Sequence, residues 1–410
     1  MLARPLDETR IPPTFWIYLA SRLCAAIAMM LLQSTVMWQV YDLTHSKFAL
    51  GLVGLVRFVP AATLTLFGGT VADAYDRRTI MRLAQLPMIA SVGLLGVMSA
   101  RHAVSLPLLY AVPFIVAASF AFDSPARQAL VPSLVPLQAF PRAVTYATTV
   151  QQLGFVTGPA MGGVLLAWRG VEAAYALYAV LVTLNLIGIG FLRPVRDTGE
   201  RRAPSWNAVR EGIAYVRARP VVWGCMALDM FAVIFGGATA LLPVYATDIL
   251  GVGPRGYGLL VASMDIGAFA SALAMTLRRP VSRAGPALLA AVAVFGLATI
   301  VFGLSRAFPL SIGAYMVAGM ADQVSVVMRQ TTIQLATPDA LRGRVSSVNM
   351  IAIAASNQIG AMESGFVAAA TTPTFAVVSG GIGCLVVLAI VMWRVPELRR
   401  HRTETLLAVG

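Results

Sequence analysis

Long apolar runs alternate with short polar breaks along the whole chain. Each run has the ~20 residues that a helix needs to cross a bilayer, and hydropathy with its breakers predicts twelve such spans. In the first half they cover 14–42, 47–72, 79–100, 105–126, 142–168 and 171–193; in the second they cover 220–248, 255–278, 285–304, 308–331, 344–370 and 373–394. One substantial polar segment, 194–219, separates the two sets. Inside it Trp206, Val209, Ile213 and Val216 recur at spacings of three and four, which predicts an amphipathic helix lying on the membrane surface. The expected organisation is therefore all-α and membrane-integral: a six-helix bundle over 1–193, a linker over 194–219, a second bundle over 220–394 and a tail over 395–410.

Composition agrees and narrows the choices. Of 410 residues, 58% are hydrophobic and 12% charged, about half the charge of an average soluble domain. A net charge of +13 would by itself fit a nucleic-acid partner. Its distribution argues otherwise. With both termini in the cytoplasm, 23 of the 31 basic residues fall on the inner side, and five (Lys47, Arg101, Arg169, Arg255 and Arg306) fall outside. Arg22, Arg57 and Arg329 sit at membrane depth. That asymmetry is the positive-inside pattern; the charges face anionic headgroups, and no nucleic acid is implied. The first run follows Arg4 and Arg10 but lacks a signal peptide's short apolar core and cleavage site, so it reads as an uncleaved span.

Candidate chemistry is sparse. Cys24, Cys225 and Cys384 lie inside apolar runs and read as packing residues. His45, His102 and His401 have no neighbours at ligand spacing, so no metal or cofactor is expected. No phosphate-binding loop ending in Lys-Ser or Lys-Thr occurs, and Lys47 is the single lysine, which argues against an ATP-driven pump. A lipid-modifying enzyme would need a reactive cluster near a headgroup plane, and the scattered histidines supply none. The chain is expected not to be an enzyme.

Two sequence patterns carry most of the information. Between the second and third spans, Gly69-Thr70-Val71-Ala72-Asp73-Ala74-Tyr75-Asp76-Arg77-Arg78 places two acids and two bases within six residues. An internal repeat relates the halves: Arg127, Gln128, Pro136, Arg142, Gly158 and Gly163 recur, shifted by 202, as Arg329, Gln330, Pro338, Arg344, Gly360 and Gly365. The polar loop resembles the G-x-x-x-D-x-x-x-R-R loop of major facilitator superfamily transporters, on Gly69, Asp73, Arg77 and Arg78. Asp123-Ser124-Pro125-Ala126-Arg127 and Leu341-Arg342-Gly343-Arg344-Val345 are similar to the enterobactin-exporter-like branch. Gly154, Gly158, Pro159, Gly162 and Gly163 resemble the superfamily's fifth-helix exporter pattern, and their small faces also suit close helix packing.

The resemblance implies two pseudo-symmetric six-helix bundles that alternate access to a central cavity lined by spans 1, 4, 7 and 10. It implies a conformational switch at Gly69, Asp73, Arg77, Arg78 and Asp123, in which Asp123 pairs with Arg77 and through it with Asp73. Charges at membrane depth are costly and are functional candidates: Arg22 with Gln33 three turns on, Arg57, Asp229, Asp265, Asp322, Arg329 and Glu363. Two readings stay open for them. They neutralise one another, Arg with Asp or Glu, across the halves, or one of the four acids exchanges a proton during transport. The expected function is a proton-coupled secondary exporter of a small amphipathic molecule, a siderophore or a drug, in a bacterial inner membrane, working as a monomer. Alternatives are a transport-inactive sensor or scaffold with the same fold, or an importer of a small organic metabolite. First-half arginines favour an anionic cargo, and second-half acids favour a cation or protons plus a neutral cargo.

Overall fold

In hydrocarbon, every backbone amide and carbonyl must be satisfied within its own segment, so apolar runs of this length fold as helices. The computed structural model describes residues 11–192, 206–277 and 284–400. The linker stretch 194–205 and the tail from 401 lie outside the described residues. Among the described residues all regular structure is helical.

The first half contains α1 (Pro13–Thr44), α2 (Lys47–Ala74), α3 (Arg77–Ala100), α4 (Leu106–Leu134), α5 (Phe140–Arg169) and α6 (Val171–Phe191). The amphipathic α7 (Trp206–Ala218) follows where the spacing of its apolar residues predicts it. The second half contains α8 (Pro220–Gly236), the short α9 (Leu242–Val244), α10 (Gly253–Leu277), α11 (Ala284–Leu304), α12 (Phe308–Ala336), α13 (Asp339–Ala370), α14 (Pro373–Arg394) and α15 (Pro396–Arg400). The repeat is geometric as well as textual, since α4 and α12 differ by 202 residues at both ends.

Among the described residues, ten segments are long and apolar enough to cross a membrane, with Pro220–Ile249 counted as one. The other two members of the twelve are α5 and α13, at 30 and 32 residues. They hold equivalent places in the two halves. Their Gly, Gln, Asn and Ser content lowers their hydropathy and suits helix contact rather than lipid.

The helices form two compact units. Unit 1 comprises Met1–Gln39 and Val59–Pro204; unit 2 comprises Val40–Phe58 and Ser205–Gly410. The last turn of α1 and the first part of α2 therefore pack with the second half of the sequence.

Glycines set the closest approaches within each unit. In unit 1, α5 lies along α1 in four-residue steps. A Cβ at Gly154 would lie 2.5 Å from that of Ala26, one at Gly158 2.8 Å from that of Met30, and one at Gly162 3.0 Å from Ser34 Oγ. In unit 2, α10 crosses α12 reciprocally: a Cβ on Gly267 would strike the Met316 carbonyl, and one on Gly319 the Met264 carbonyl.

The seventh span departs from the continuous 220–248 helix that hydropathy predicts. α8 stops at Gly236, a 3₁₀ turn covers Ala238–Leu241, and after α9 a π turn covers Tyr245–Ile249. Phe295 fills the space where a Gly236 side chain would go. Gly237 leaves the helix at ψ 58°, and its freed carbonyl accepts a 2.9 Å hydrogen bond from Ser364 Oγ on α13. Pro243 removes one more amide donor. Non-helical backbone at membrane depth is tolerated where protein satisfies it in this way.

Candidate functional site

In unit 1 the membrane-depth charges Arg22, Asp123 and Arg127 are all bonded. Asp123 and Arg127 are buried one turn apart on α4. The guanidinium grips the carboxylate with two bonds, Nε to Oδ2 at 2.9 Å and Nη2 to Oδ1 at 3.0 Å. Gln85 Nε2 donates to the same carboxylate at 3.4 Å, and Arg127 Nη1 reaches Asn185 Oδ1 at 3.5 Å. A bidentate, charge-assisted pair is the strong form of this contact. Asp123 thus takes Arg127 as its partner, where the resemblance pointed to Arg77. Arg77 Nη1 instead donates to the Ala129 carbonyl of α4 at 2.6 Å.

Around the polar loop, Arg78 Nη1 donates to the Leu192 carbonyl at 2.8 Å and Asp76 caps α3. The side chain of Asp73 lies outside the described residues. A Cβ on Gly69 would meet nothing within 4 Å, whereas one on its neighbour Gly68 would strike the Ala121 carbonyl of α4. The close-approach glycine in this state is thus Gly68, outside the sequence pattern.

Arg22 on α1 is occupied on three sides. Its Nε donates to Ala147 O at 2.9 Å, Nη1 to Tyr18 Oη at 2.9 Å, and Nη2 to Gln151 Oε1 at 2.5 Å. It ties α1 to α5. Gln33 is half-buried further along α1. Gly154, Gly158, Pro159, Gly162 and Gly163 are all buried, and the stripe seats α1.

In unit 2 the charges divide into two classes. Arg329, with 2% of its surface exposed, forms an ion pair with Asp229 of α8, 7% exposed. Both partners belong to one unit, whereas the neutralising alternative from the sequence was a pairing across the halves. Asp265 on α10 and Asp322 on α12 form the second class. The glycine crossing of α10 and α12 brings them within electrostatic reach of each other. Among the described residues neither forms an ion pair or a hydrogen bond. Glu363 on α13 accepts a 3.4 Å hydrogen bond from Ser364 Oγ, and Arg57 on α2 is half-buried.

Residues that hydropathy and charge reading did not single out surround the acid pair. Tyr315, one turn before Gly319 on α12, is buried and shares a 3.1 Å hydrogen bond with Thr239 of the 3₁₀ turn. It lies within electrostatic reach of Asp265 and Asp322. Phe302 stacks between Tyr315 and Tyr245, with centroids at 4.9 and 4.7 Å. At the other end of the π turn, Asp248 Oδ2 accepts from the Tyr41 hydroxyl of α1. Sequence offers one signal for these residues: tyrosines recurring inside apolar runs, each needing a polar partner when buried.

Comparison with known proteins agrees with this fold. Residues 5–407 match the profile of the family described as transmembrane secretion effectors. The enterobactin exporter EntS of Escherichia coli O139:H28 (strain E24377A / ETEC) is 26% identical over 402 residues, spanning 97% of this chain and 95% of that protein. The enterobactin exporter EntS of Shigella boydii serotype 18 matches to the same degree. Among solved structures, a bacterial homologue of the human lysosomal transporter Spinster, inward-facing and unoccupied, aligns with a TM-score of 0.69. Its sequence identity is 16%, over 97% of this chain and 98% of that one. A peptide transporter POT bound to sulfate aligns with a TM-score of 0.72 at 14% identity, covering 95% of each chain.

Proposed function

Because this chain belongs to the transmembrane secretion effector family of major facilitator transporters, we propose that it is a proton-coupled exporter of a small amphipathic molecule. A functional guide is the enterobactin exporter that matches it over 97% of this chain. The reading places the chain in a bacterial inner membrane with both termini cytoplasmic, following the basic-residue asymmetry. It assigns alternating access to two bundles built on one repeat.

The single observation that carries the coupling is the pair Asp265–Asp322. Four acids were candidates for the proton. Asp229 is neutralised by Arg329, and a charge held by a fixed cation has no reason to leave it. Glu363 accepts one bond from its neighbour Ser364. Asp265 and Asp322 lie within electrostatic reach of each other, and among the described residues no cation pairs with either. Two buried carboxylates that feel each other's charge do not readily both stay ionised, so the pair takes up and releases a proton as one unit. Arg22 is fully engaged within unit 1 and is read as a helix tie rather than a cargo contact.

The test is transport of purified enterobactin into inside-out proteoliposomes under an imposed pH gradient. The wild-type protein accumulates the siderophore when the gradient is present. Asp265→Asn and Asp322→Asn each abolish gradient-driven accumulation and retain downhill exchange. Full gradient-driven accumulation in both variants would remove the pair from the coupling mechanism. No accumulation by wild type, with gradient-driven movement of a cationic dye instead, would move the cargo from siderophore to drug.

A further inference from the structure

The broken seventh span is attached to the rest of unit 2 at three points between its break and its end. Near the break, Thr239 in the 3₁₀ turn shares a hydrogen bond with Tyr315. In the middle, Tyr245 stacks on Phe302, which stacks on Tyr315. At the end, Asp248 accepts from Tyr41, while Thr247 Oγ1 donates to its other oxygen at 2.7 Å. Two of the three attachments converge on one side chain of α12. That side chain also sits at the α10–α12 crossing, next to Met316, whose carbonyl meets Gly267 two residues from Asp265.

We propose that Tyr315 is a positioning residue that links the Asp265–Asp322 pair to the segment 238–249, and through that segment to the Tyr41–Asp248 bond. This rests on the reading of the pair as the proton carrier. The physical route is short. The hydrogen bond between Tyr315 and Thr239 can run in either direction, since each hydroxyl donates or accepts. An ionised carboxylate favours the Tyr315 O–H turned toward the acids, leaving Thr239 to donate. A neutral pair removes that bias and lets Tyr315 donate to the turn. The segment it steadies lacks continuous α-helical bonding and begins at Gly236–Gly237. It is the part of the seventh span with the least backbone resistance to a small shift. Both hydroxyl orientations preserve atoms and charge; only the proton on the carboxyl pair is gained or lost.

The groups facing Tyr315 are Asp265 and Tyr257 from α10, Asp322 from its own helix and Thr239 from the 3₁₀ turn; Phe302 from α11 is apolar. At the far end, His45 contacts Tyr41, with Nδ1 3.0 Å from the Tyr41 carbonyl oxygen. Because His45 contacts Tyr41 directly, the experiment is made with this side chain replaced.

The measurement is amide hydrogen exchange of residues 242–250 in the full chain, held in lipid nanodiscs and corrected for intrinsic rates. It is made at about pH 5.5 and about pH 8, in a His45→Asn background. Protection of this segment is expected to change about threefold or more between the two conditions. Tyr315→Phe keeps the ring stack and removes the hydroxyl; it is expected to flatten the pH response while protection of α11 and α14 stays unchanged. Thr239→Val removes the same bond from the other side and serves if Tyr315→Phe does not fold. A segment that responds to pH as before in Tyr315→Phe or Thr239→Val overturns the link, as does a background protein with no response. If Asp265→Asn and Asp322→Asn lose both coupling and the segment response while Tyr315→Phe keeps the response, the link alone fails. If those two variants transport like wild type, the carrier reading fails instead.

Discussion

Arg127 in α4 and Arg329 in α12 occupy the same place in the two halves, yet each is neutralised differently. In α4 the acid stands one turn back, at Asp123, and the pair is a clip on one helix. In α12 the position one turn back is Ser325, and the acid arrives from another helix as Asp229. A guanidinium at membrane depth demands a counter-charge, but not one from a fixed position. The difference has a mechanical consequence. The Asp123–Arg127 pair lies within one helix and joins α4 to no other, whereas the Asp229–Arg329 pair fastens α8 to α12. The first part of the seventh span is thereby anchored, and its irregular part begins only after Gly236.

The largest expected effect follows from that contrast. Asp229→Asn leaves Arg329 buried without its anion, and breaking a buried pair from one side costs about 3–5 kcal/mol. The thermal midpoint of the purified protein should fall accordingly. Replacing both partners, as Asp229→Asn with Arg329→Met, should recover much of the loss, because the uncompensated charge is gone. Asp123→Asn should cost less, since Arg127 keeps the amide oxygen at 123 and the one on Asn185. Equal losses for Asp229→Asn and Asp123→Asn would mean that the cross-helix tie adds nothing, and the contrast between the halves would lapse.

A second test compares neighbouring glycines in unit 1. Gly68→Ala forces a Cβ onto the Ala121 carbonyl, which is backbone and cannot swing away; overpacking of this kind costs about 1–3 kcal/mol. Gly69→Ala meets open space and should change the midpoint by less than about 0.5 kcal/mol. If Gly69→Ala nevertheless stops transport, its close approach belongs to a state of the cycle other than this one.

A smaller effect is expected at the start of α3. Partial burial pushes the Asp76 carboxyl up, but the hydrogen bonds from Thr79 and the charge of Arg78 outweigh it and hold the group below its ordinary range. A lowered value in the folded state means stabilisation above the ordinary carboxylate range, lost as pH falls through the folded value. Asp76→Ala should therefore cost about 1 kcal/mol at neutral pH. The difference from wild type should shrink below about pH 4.

Much of this was legible because the bilayer imposes one rule on every span. Apolar length gave the helices, and the 202-residue repeat gave the correspondence that Arg127 and Arg329 now display in space. What the sequence could not show was partner choice. Asp123 lay within reach of either Arg77 or Arg127, and only the side-chain geometry separates them. The break at Gly236–Gly237 was hidden because hydropathy sums over a window and does not notice where a carbonyl turns toward Ser364. Gly68 was overshadowed by Gly69 because the loop pattern is defined by spacing, whereas the clash is set by which face meets α4. The acid pair was visible only as two separate candidates, because Asp265 and Asp322 lie on different helices and the Gly267–Gly319 crossing that joins them is a tertiary fact.

One further stability measurement separates the charges that hold the fold together from those that titrate. Asp123 and Asp229 each neutralise an arginine, so removing either withdraws a favourable interaction. Asp265 and Asp322 bond to nothing among the described residues, and a carboxyl at depth without a partner is a cost rather than a gain. Asparagine has nearly the same shape and carries no charge. Asp265→Asn and Asp322→Asn should therefore leave the thermal midpoint within about 1 kcal/mol of wild type or raise it, even as coupling is lost. A drop of several kcal/mol in either would show that these acids hold unit 2 together, and the division of its charges into structural and titrating classes would have to be abandoned. A flat or rising midpoint with coupling lost is what a site kept for proton exchange, at the expense of stability, requires.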